Sequence, residues 1–170
     1  MIVVVIINYI VVGTDCSGKT SLVEMLSDIT EFKVMKGSSF SHSQCTQDEL
    51  FNKFLEFTKM DNVIFDRFTF CNEVYAEMYD DFAMLSDEQR RYIEKEMKNK
   101  ATIIYLYADD EVLEQRFNYR GDDYVTLDKL KYAKGKYEQS LSKVKDLEVV
   151  RFDTGKMTTK EIVEHILLTY

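Results

Sequence analysis

Gly13-Thr14-Asp15-Cys16-Ser17-Gly18-Lys19-Thr20 stands directly behind an apolar run, residues 2–12, built mainly of Ile, Val and Tyr. The octapeptide satisfies G-x-x-x-x-G-K-[ST], the Walker A pattern of a phosphate-binding loop set between a strand and a helix. That spacing has a mechanical reason. The glycines let the backbone turn its N–H groups inward as a nest for an anion, and the positive end of a helix beginning near Gly18 adds to the field. Lys19 would then reach the β- and γ-phosphates of a nucleoside triphosphate, with ATP the expected donor. The Thr20 hydroxyl is placed for Mg²⁺, which neutralises the triphosphate. The expected triphosphate site is therefore Gly13, Thr14, Asp15, Cys16, Ser17, Gly18, Lys19, Thr20 and Ser21. Only six glycines occur in the chain, so two of them in one short turn favours a working loop.

Working outward, residues 2–12 lack a basic leader and are too short to span a bilayer, which leaves a buried central strand of a parallel sheet. Comparable β-branched or aromatic runs recur at residues 32–35, 62–66, 101–107 and 147–153. Between them lie stripes of 3.6-residue period, such as Leu50/Phe51/Phe54/Leu55, Leu127/Leu130/Tyr137/Leu141/Val144 and Ile162/Val163/Ile166/Leu167. Helix starts are marked by Ser86, by Thr126 and by Thr158 with Glu161 as a capping box. Strands alternating with helices predict an α/β chain: a P-loop NTPase three-layer fold with a five-stranded parallel sheet flanked by helices. The 170 residues contain no proline and no repeat, so a single domain over residues 1–170 is expected.

Composition narrows the partners. With 45% hydrophobic and 31% charged residues the chain reads as a folded globular protein, and its net charge of −8 opposes nucleic acid and anionic membranes. An anionic small molecule would have to be met by a few placed cations. Cys16, Cys45 and Cys71 are odd in number and form no Cys-x-x-Cys, so reduced thiols in the cytoplasm are expected rather than disulfides or a zinc site. His42 and His165 stand apart from other ligand-type residues and are given no role.

A phosphate-binding loop does not name an acceptor. Asp66 ends the strand-like Val63-Ile64-Phe65 and can reach Mg²⁺ through water, and Arg67 and Phe68 follow at the carboxyl edge where α/β sheets take ligands. This Asp66-Arg67-Phe68 segment, with Tyr75 beyond it, resembles the Asp-Arg-aromatic segment of thymidylate kinases and related deoxynucleoside kinases. The resemblance extends to Asp15, which in that family lies near the acceptor sugar. It also extends to Leu113-x-x-Arg116-x-x-x-Arg120-Gly121-Asp122-Asp123, which is similar to the family's lid, here near residues 114–125. Arg116 and Arg120 are four apart and share a helical face, so both guanidiniums can meet the moving phosphoryl group. Lys131–Tyr137 resembles a segment of the post-lid helix, and Phe152-Asp153-Thr154-Gly155 the adenine-side loop. The resemblance implies catalytic roles for Lys19, Asp15, Arg67, Arg116 and Arg120, and ATP contacts at Arg116, Asp153, Thr154 and Gly155. It implies acceptor contacts at Arg67, Phe68 and Tyr75, and Mg²⁺ at Thr20 and Asp66. A homodimer and a phage or prophage source are likewise implied by the resemblance alone.

The match fails where the family carries an Arg-x-Pro-Gly-Gly-type segment; this chain reads Met35-Lys36-Gly37-Ser38-Ser39-Phe40. Lys36 can replace the arginine only as a point charge, and Phe40 can stack on a base. Cys71 and Ala76 replace the residues that meet a thymine edge, so base preference is not inherited. The leading expectation is ATP-dependent phosphorylation of a deoxynucleoside monophosphate. A deoxynucleoside or modified-base kinase, with Asp15 or Asp66 as general base, stays open. So does a nucleotide-binding switch or a non-catalytic NTP-binding subunit, while a polynucleotide end kinase is disfavoured by the acidic balance.

Overall fold

The computed structural model describes residues 7–37, 44–121 and 125–170. Phe40, Asp122 and Asp123, named above, lie outside the described residues, as do residues 1–6 of the first apolar run. Five strands alternate with helices in the described chain: β1 (Asn8–Val12), α1 (Lys19–Thr30), β2 (Lys33–Lys36), α2 (Gln47–Phe57) and β3 (Val63–Asp66). There follow α3 (Thr69–Met78), α4 (Asp87–Glu96), β4 (Ala101–Tyr107), α5 (Asp110–Arg120), α6 (Leu127–Ser142), β5 (Glu148–Asp153) and α7 (Thr159–Thr169). The sheet is parallel throughout, in the order β2-β3-β1-β4-β5, with β1 at its centre. The expected α/β three-layer architecture is what the chain forms.

The period-two geometry of a strand explains the layers, because alternate residues face opposite sides. Ile10, Val12, Phe65, Ile103 and Tyr105 join Leu50, Phe54, Val74, Ile93 and Tyr137 in one core, between the sheet and helices α2, α3, α4 and α6. Tyr9, Val11, Ile64, Ile104 and Leu106 join Leu22, Leu26, Ile162 and Ile166 in the other, under α1 and α7. Asn8, fully buried, ties the amino edge of the sheet together. Its side-chain amide donates to Met60 O at 3.0 Å and its Oδ1 accepts from Val63 N at 2.9 Å. Thr126 and the Thr158/Glu161 box cap α6 and α7 as expected, and full boxes also form at Thr46/Glu49 and Ser86/Gln89. The α6 stripe ends sooner than its apolar pattern does, since Val144 lies beyond the last helical residue, Ser142.

One buried ionic cluster braces α3, α4 and α6. Arg90 and Glu94, 3% and 2% exposed, pair at 2.8 Å, while Glu73 accepts from Lys143 at 2.7 Å and from Ser140. Arg90 Nε lies 3.9 Å from Glu73. Removing one partner of a buried pair strands the other, at a cost of about 3–5 kcal/mol. For a chain of this size Arg90→Met is expected to lower Tm by roughly 6–20 °C. The double variant Arg90→Met/Glu94→Leu should recover most of that loss in the same thermal melt.

Candidate active site

The phosphate loop, Lys36, Asp66 and Arg67 lie at the carboxyl edge of the sheet, and α3 and α5 supply much of the rest of the site. After β1 the chain must leave the sheet tightly: Gly13 has φ 150°, and a Cβ there would sit 2.4 Å from Leu106 O. Ser17, fully buried, donates through Oγ to Thr14 O at 2.7 Å, so Thr14 and Ser17 shape the loop from inside. Gly18, at φ 94°, occupies the cap position of α1 and offers no side chain to the first helical N–H groups. The start of α1 therefore keeps its donors for an anion. Cys16 adopts a left-handed φ of 61°, a sparsely populated conformation for a residue with a side chain.

Lys19 is 7% exposed and donates from Nζ to Gly13 O at 2.7 Å and Thr14 O at 2.6 Å, folding back over its own loop. Burial, followed by the positive charge of Arg67, pushes its ammonium down to about 8 against the opposing pull of Asp15. A triphosphate would reverse that balance by favouring the charged lysine. Nucleotide binding is therefore expected to take up a proton above pH 8. Its Kd should be nearly flat from pH 7 to 7.5 and should then weaken by up to about tenfold per unit above pH 8. Titration calorimetry in buffers of different ionisation enthalpy checks this, and Lys19→Met should abolish the slope.

Beside the loop, β3 ends in Asp66 and the chain reverses at Arg67, whose φ is 73°. This reversal separates neighbours. Arg67 turns toward the loop and donates from Nη2 to Asp15 at 2.9 Å. Phe68 turns into the core, fully buried against Phe54 and Phe65 with ring centroids 5.1 Å away in each case. The expected acceptor contact at Phe68 is accordingly corrected to a packing role. Gly37, after β2, is fixed by this corner, because a Cβ there would lie 1.9 Å from Arg67 O. The Arg67 guanidinium lies 4.7 Å from the centre of the Tyr75 ring, and the Tyr75 hydroxyl donates to Asp15 at 3.3 Å. Burial pushes the Asp15 carboxyl up, but Lys19 and Arg67 pull harder and leave it below its ordinary value. Lys36, at the end of β2 and opposite Asp66 in the β2/β3 register, pairs with the Asp66 carboxylate.

The fourth wall is α5, which runs to Gly121 and so carries Arg116 and Arg120 on one face. Arg116 donates to Cys16 O at 3.1 Å, Thr154 Oγ1 at 2.9 Å and Thr154 O at 2.7 Å, tying the phosphate loop to the loop after β5. Asp153 braces that same loop, accepting from Gly155 N at 2.9 Å and pairing with Lys156. Together these elements enclose a cavity of about 690 Å³. Among the described residues, five cations, Lys19, Lys36, Arg67, Arg116 and Arg120, line it with two carboxylates, Asp15 and Asp66. A second cavity of about 430 Å³ shares Cys16, Gly18, Ser21 and Arg116 with it and opens toward Thr154, Met157 and Ile162. Tyr79, Phe82 and Tyr119 also line the larger cavity and were not expected from the sequence. The available signal was the spacing Tyr75, Tyr79, Phe82 on and just beyond one helix face.

The chain is 34% identical over 155 residues to the SPbeta prophage-derived uncharacterized protein YorR of Bacillus subtilis (strain 168), a match covering 91% of this chain and 93% of the relative. The chain belongs to the YorR family. The crystal structure of B. subtilis YorR, solved in complex with phosphorylated GDP, superposes with a TM-score of 0.89 over 95% of this chain and 94% of YorR. No family model matches the chain. More distant solved structures share the fold of this YorR-family member. Deoxyadenosine kinase from M. mycoides with bound dATP (16% identity, covering 95% of this chain and 97% of that one) has a TM-score of 0.60. Thymidylate kinase from Candida albicans (15% identity, 95% and 89% covered) has the same score, so the fold is that of P-loop kinases without singling out thymidylate kinase.

Proposed function

We propose that this YorR-family chain is an ATP-dependent phosphotransferase whose acceptor is a deoxynucleoside monophosphate. One observation carries the reading: a cavity whose described wall carries a surplus of three positive charges, opening on a Walker A loop, in a chain whose net charge is −8. Such a concentration of guanidinium and ammonium groups suits two facing phosphate chains, one from the donor and one from the acceptor. A neutral nucleoside would need a general base at its hydroxyl instead. Asp15 is poorly suited to that task, being held by Arg67 and Tyr75 and lowered in pKa, and Asp66 is paired with Lys36. YorR's complex with phosphorylated GDP supports a nucleotide as ligand here, and it gives no preference for thymine.

In this reading the smaller cavity takes the donor base, with Cys16, Arg116 and Thr154 as its rim. Lys19 leaves its two carbonyls for the β- and γ-phosphates, and Arg116 and Arg120 oppose the charge that develops on the transferred group. Arg67 and Lys36 hold the acceptor phosphate. Among the described residues no cluster of three His, Cys, Asp or Glu side chains could hold a metal alone. The oxygens of Thr20 and Asp66, both on the cavity wall, fit Mg²⁺ carried by the nucleotide, which would supply charge neutralisation. A coupled ATP-consumption screen against the four deoxynucleosides and their monophosphates tests the proposal. Turnover dependent on a monophosphate supports it; turnover with nucleosides alone, or none that depends on an acceptor, contradicts it.

A further inference from the structure

The cavity is charged at one end and aromatic at the other. Tyr75, beside Asp15 and Arg67, is the junction, and from it a row of rings leads away from the phosphate loop. Tyr79 lies one helical turn on, with its ring 6.4 Å from Tyr75 and inclined by only 14°. Phe82 follows in a turn closed by its N–H to Tyr79 O at 3.3 Å, its ring 5.6 Å from that of Tyr79. Lys129 Nζ, from the first turn of α6, lies 4.9 Å from the centre of the Tyr79 ring and steadies this row from another element. Tyr119, 95% exposed, lines the same cavity from α5.

Equally informative is what the described wall offers to a base edge. It contains no asparagine or glutamine, its Thr20 and Ser21 hydroxyls belong to the phosphate loop, both of its carboxylates are held by cations and the Tyr75 hydroxyl is held by Asp15, which leaves the hydroxyls of Tyr79 and Tyr119 as its uncharged hydrogen-bonding side chains away from the loop. A site that hydrogen-bonds a base edge rejects the wrong base by orders of magnitude, whereas an apolar wall discriminates weakly. Aromatic faces accept any base, because every base has a π-face.

We infer that Tyr79 and Phe82 hold the base of the acceptor nucleotide by ring contact, so that the enzyme accepts several deoxynucleoside monophosphates rather than one. This rests on the acceptor reading of the cavity made above. It assigns the charged end to the phosphate, the Asp15 and Tyr75 junction to the sugar, and the aromatic end to the base. Purines, having the larger ring system, should bind slightly better than pyrimidines.

Equilibrium binding of dAMP, dGMP, dCMP and dTMP to the full chain, without donor, tests the inference independently of turnover. All four Kd values are expected within about tenfold of one another. Tyr79→Ala and Phe82→Ala should each weaken all four by roughly 10- to 100-fold, in keeping with the measured worth of base stacking on aromatic side chains. Tyr79→Phe should keep wild-type binding, and the Kd for ATP should be unchanged in every variant, which also reports that the fold is intact. One base bound more than about 100-fold better than the others would overturn the inference. So would alanine variants that bind all four as the parent does, or a parent that binds none. Binding as expected with no phosphoryl transfer would leave the inference standing and sink the proposed reaction. Transfer to a single base would do the opposite.

Discussion

Lys19→Met is expected to lower kcat for phosphoryl transfer by about 10²–10³-fold or more while leaving the chain folded. The loss follows from removing a preorganised cation that is itself only 7% exposed, where one donor aimed at developing charge is worth several kcal/mol. Stability should not follow activity. Folding lowers the Lys19 pKa from 10.5 to about 8, so the folded state disfavours the charged form. That cost is present at every pH below about 8 and fades as the pH climbs toward 10.5. Methionine keeps the volume and drops the charge, so Tm at pH 7 should be unchanged or raised. A thermal melt beside an acceptor-dependent assay separates the two effects, and a melt lowered in parallel with activity would show Lys19 to be structural.

Arg67→Ala should be nearly as damaging but in another parameter. Arg67 is the cation at the corner where β3, Asp15 and Tyr75 meet, and its loss removes a phosphate anchor together with the partner of Asp15. The acceptor KM is expected to rise by roughly 100-fold, with a smaller fall in kcat and little change in the KM for ATP. Arg67→Lys should recover little, because an ammonium cannot hold Asp15 and a phosphate through a planar fork or lie on the Tyr75 ring in the same way. Initial rates over an acceptor-by-ATP grid make the distinction. A rise confined to the KM for ATP would move Arg67 to the donor side.

How much of this was legible in the sequence depended on whether the signal was local. The phosphate loop, β2 to β5 and the capped starts of α6 and α7 are written in short-range patterns, and the structure places those four strands within a residue, while β1 is described only from Asn8 of the expected run 2–12. The inward placement of Phe68 is not legible in the sequence because it depends on one backbone angle: with Arg67 at φ 73°, adjacent residues part company and the aromatic one goes inward. The pairing of Lys36 with Asp66 depends on β2/β3 register, which two short strands do not declare. Tyr79 and Phe82 become a wall only because α3 ends at Met78 and a turn follows, so their spacing alone was compatible with plain core packing. The spacing of Arg116 and Arg120 points to a cation for the moving phosphate, whereas the attachment of Arg116 to Cys16 and Thr154, 100 and 38 residues away in sequence, has no local signal.

The most direct test of the central claim is to follow the γ-phosphate itself. The full chain is incubated with Mg²⁺, γ-labelled ATP and an equimolar mixture of the four deoxynucleoside monophosphates, and the products are separated and identified by mass. Label recovered in deoxynucleoside diphosphates, and absent with Lys19→Met, is the result this account predicts. Label appearing only as free phosphate, or in deoxynucleoside monophosphates when nucleosides replace the mixture, would contradict it.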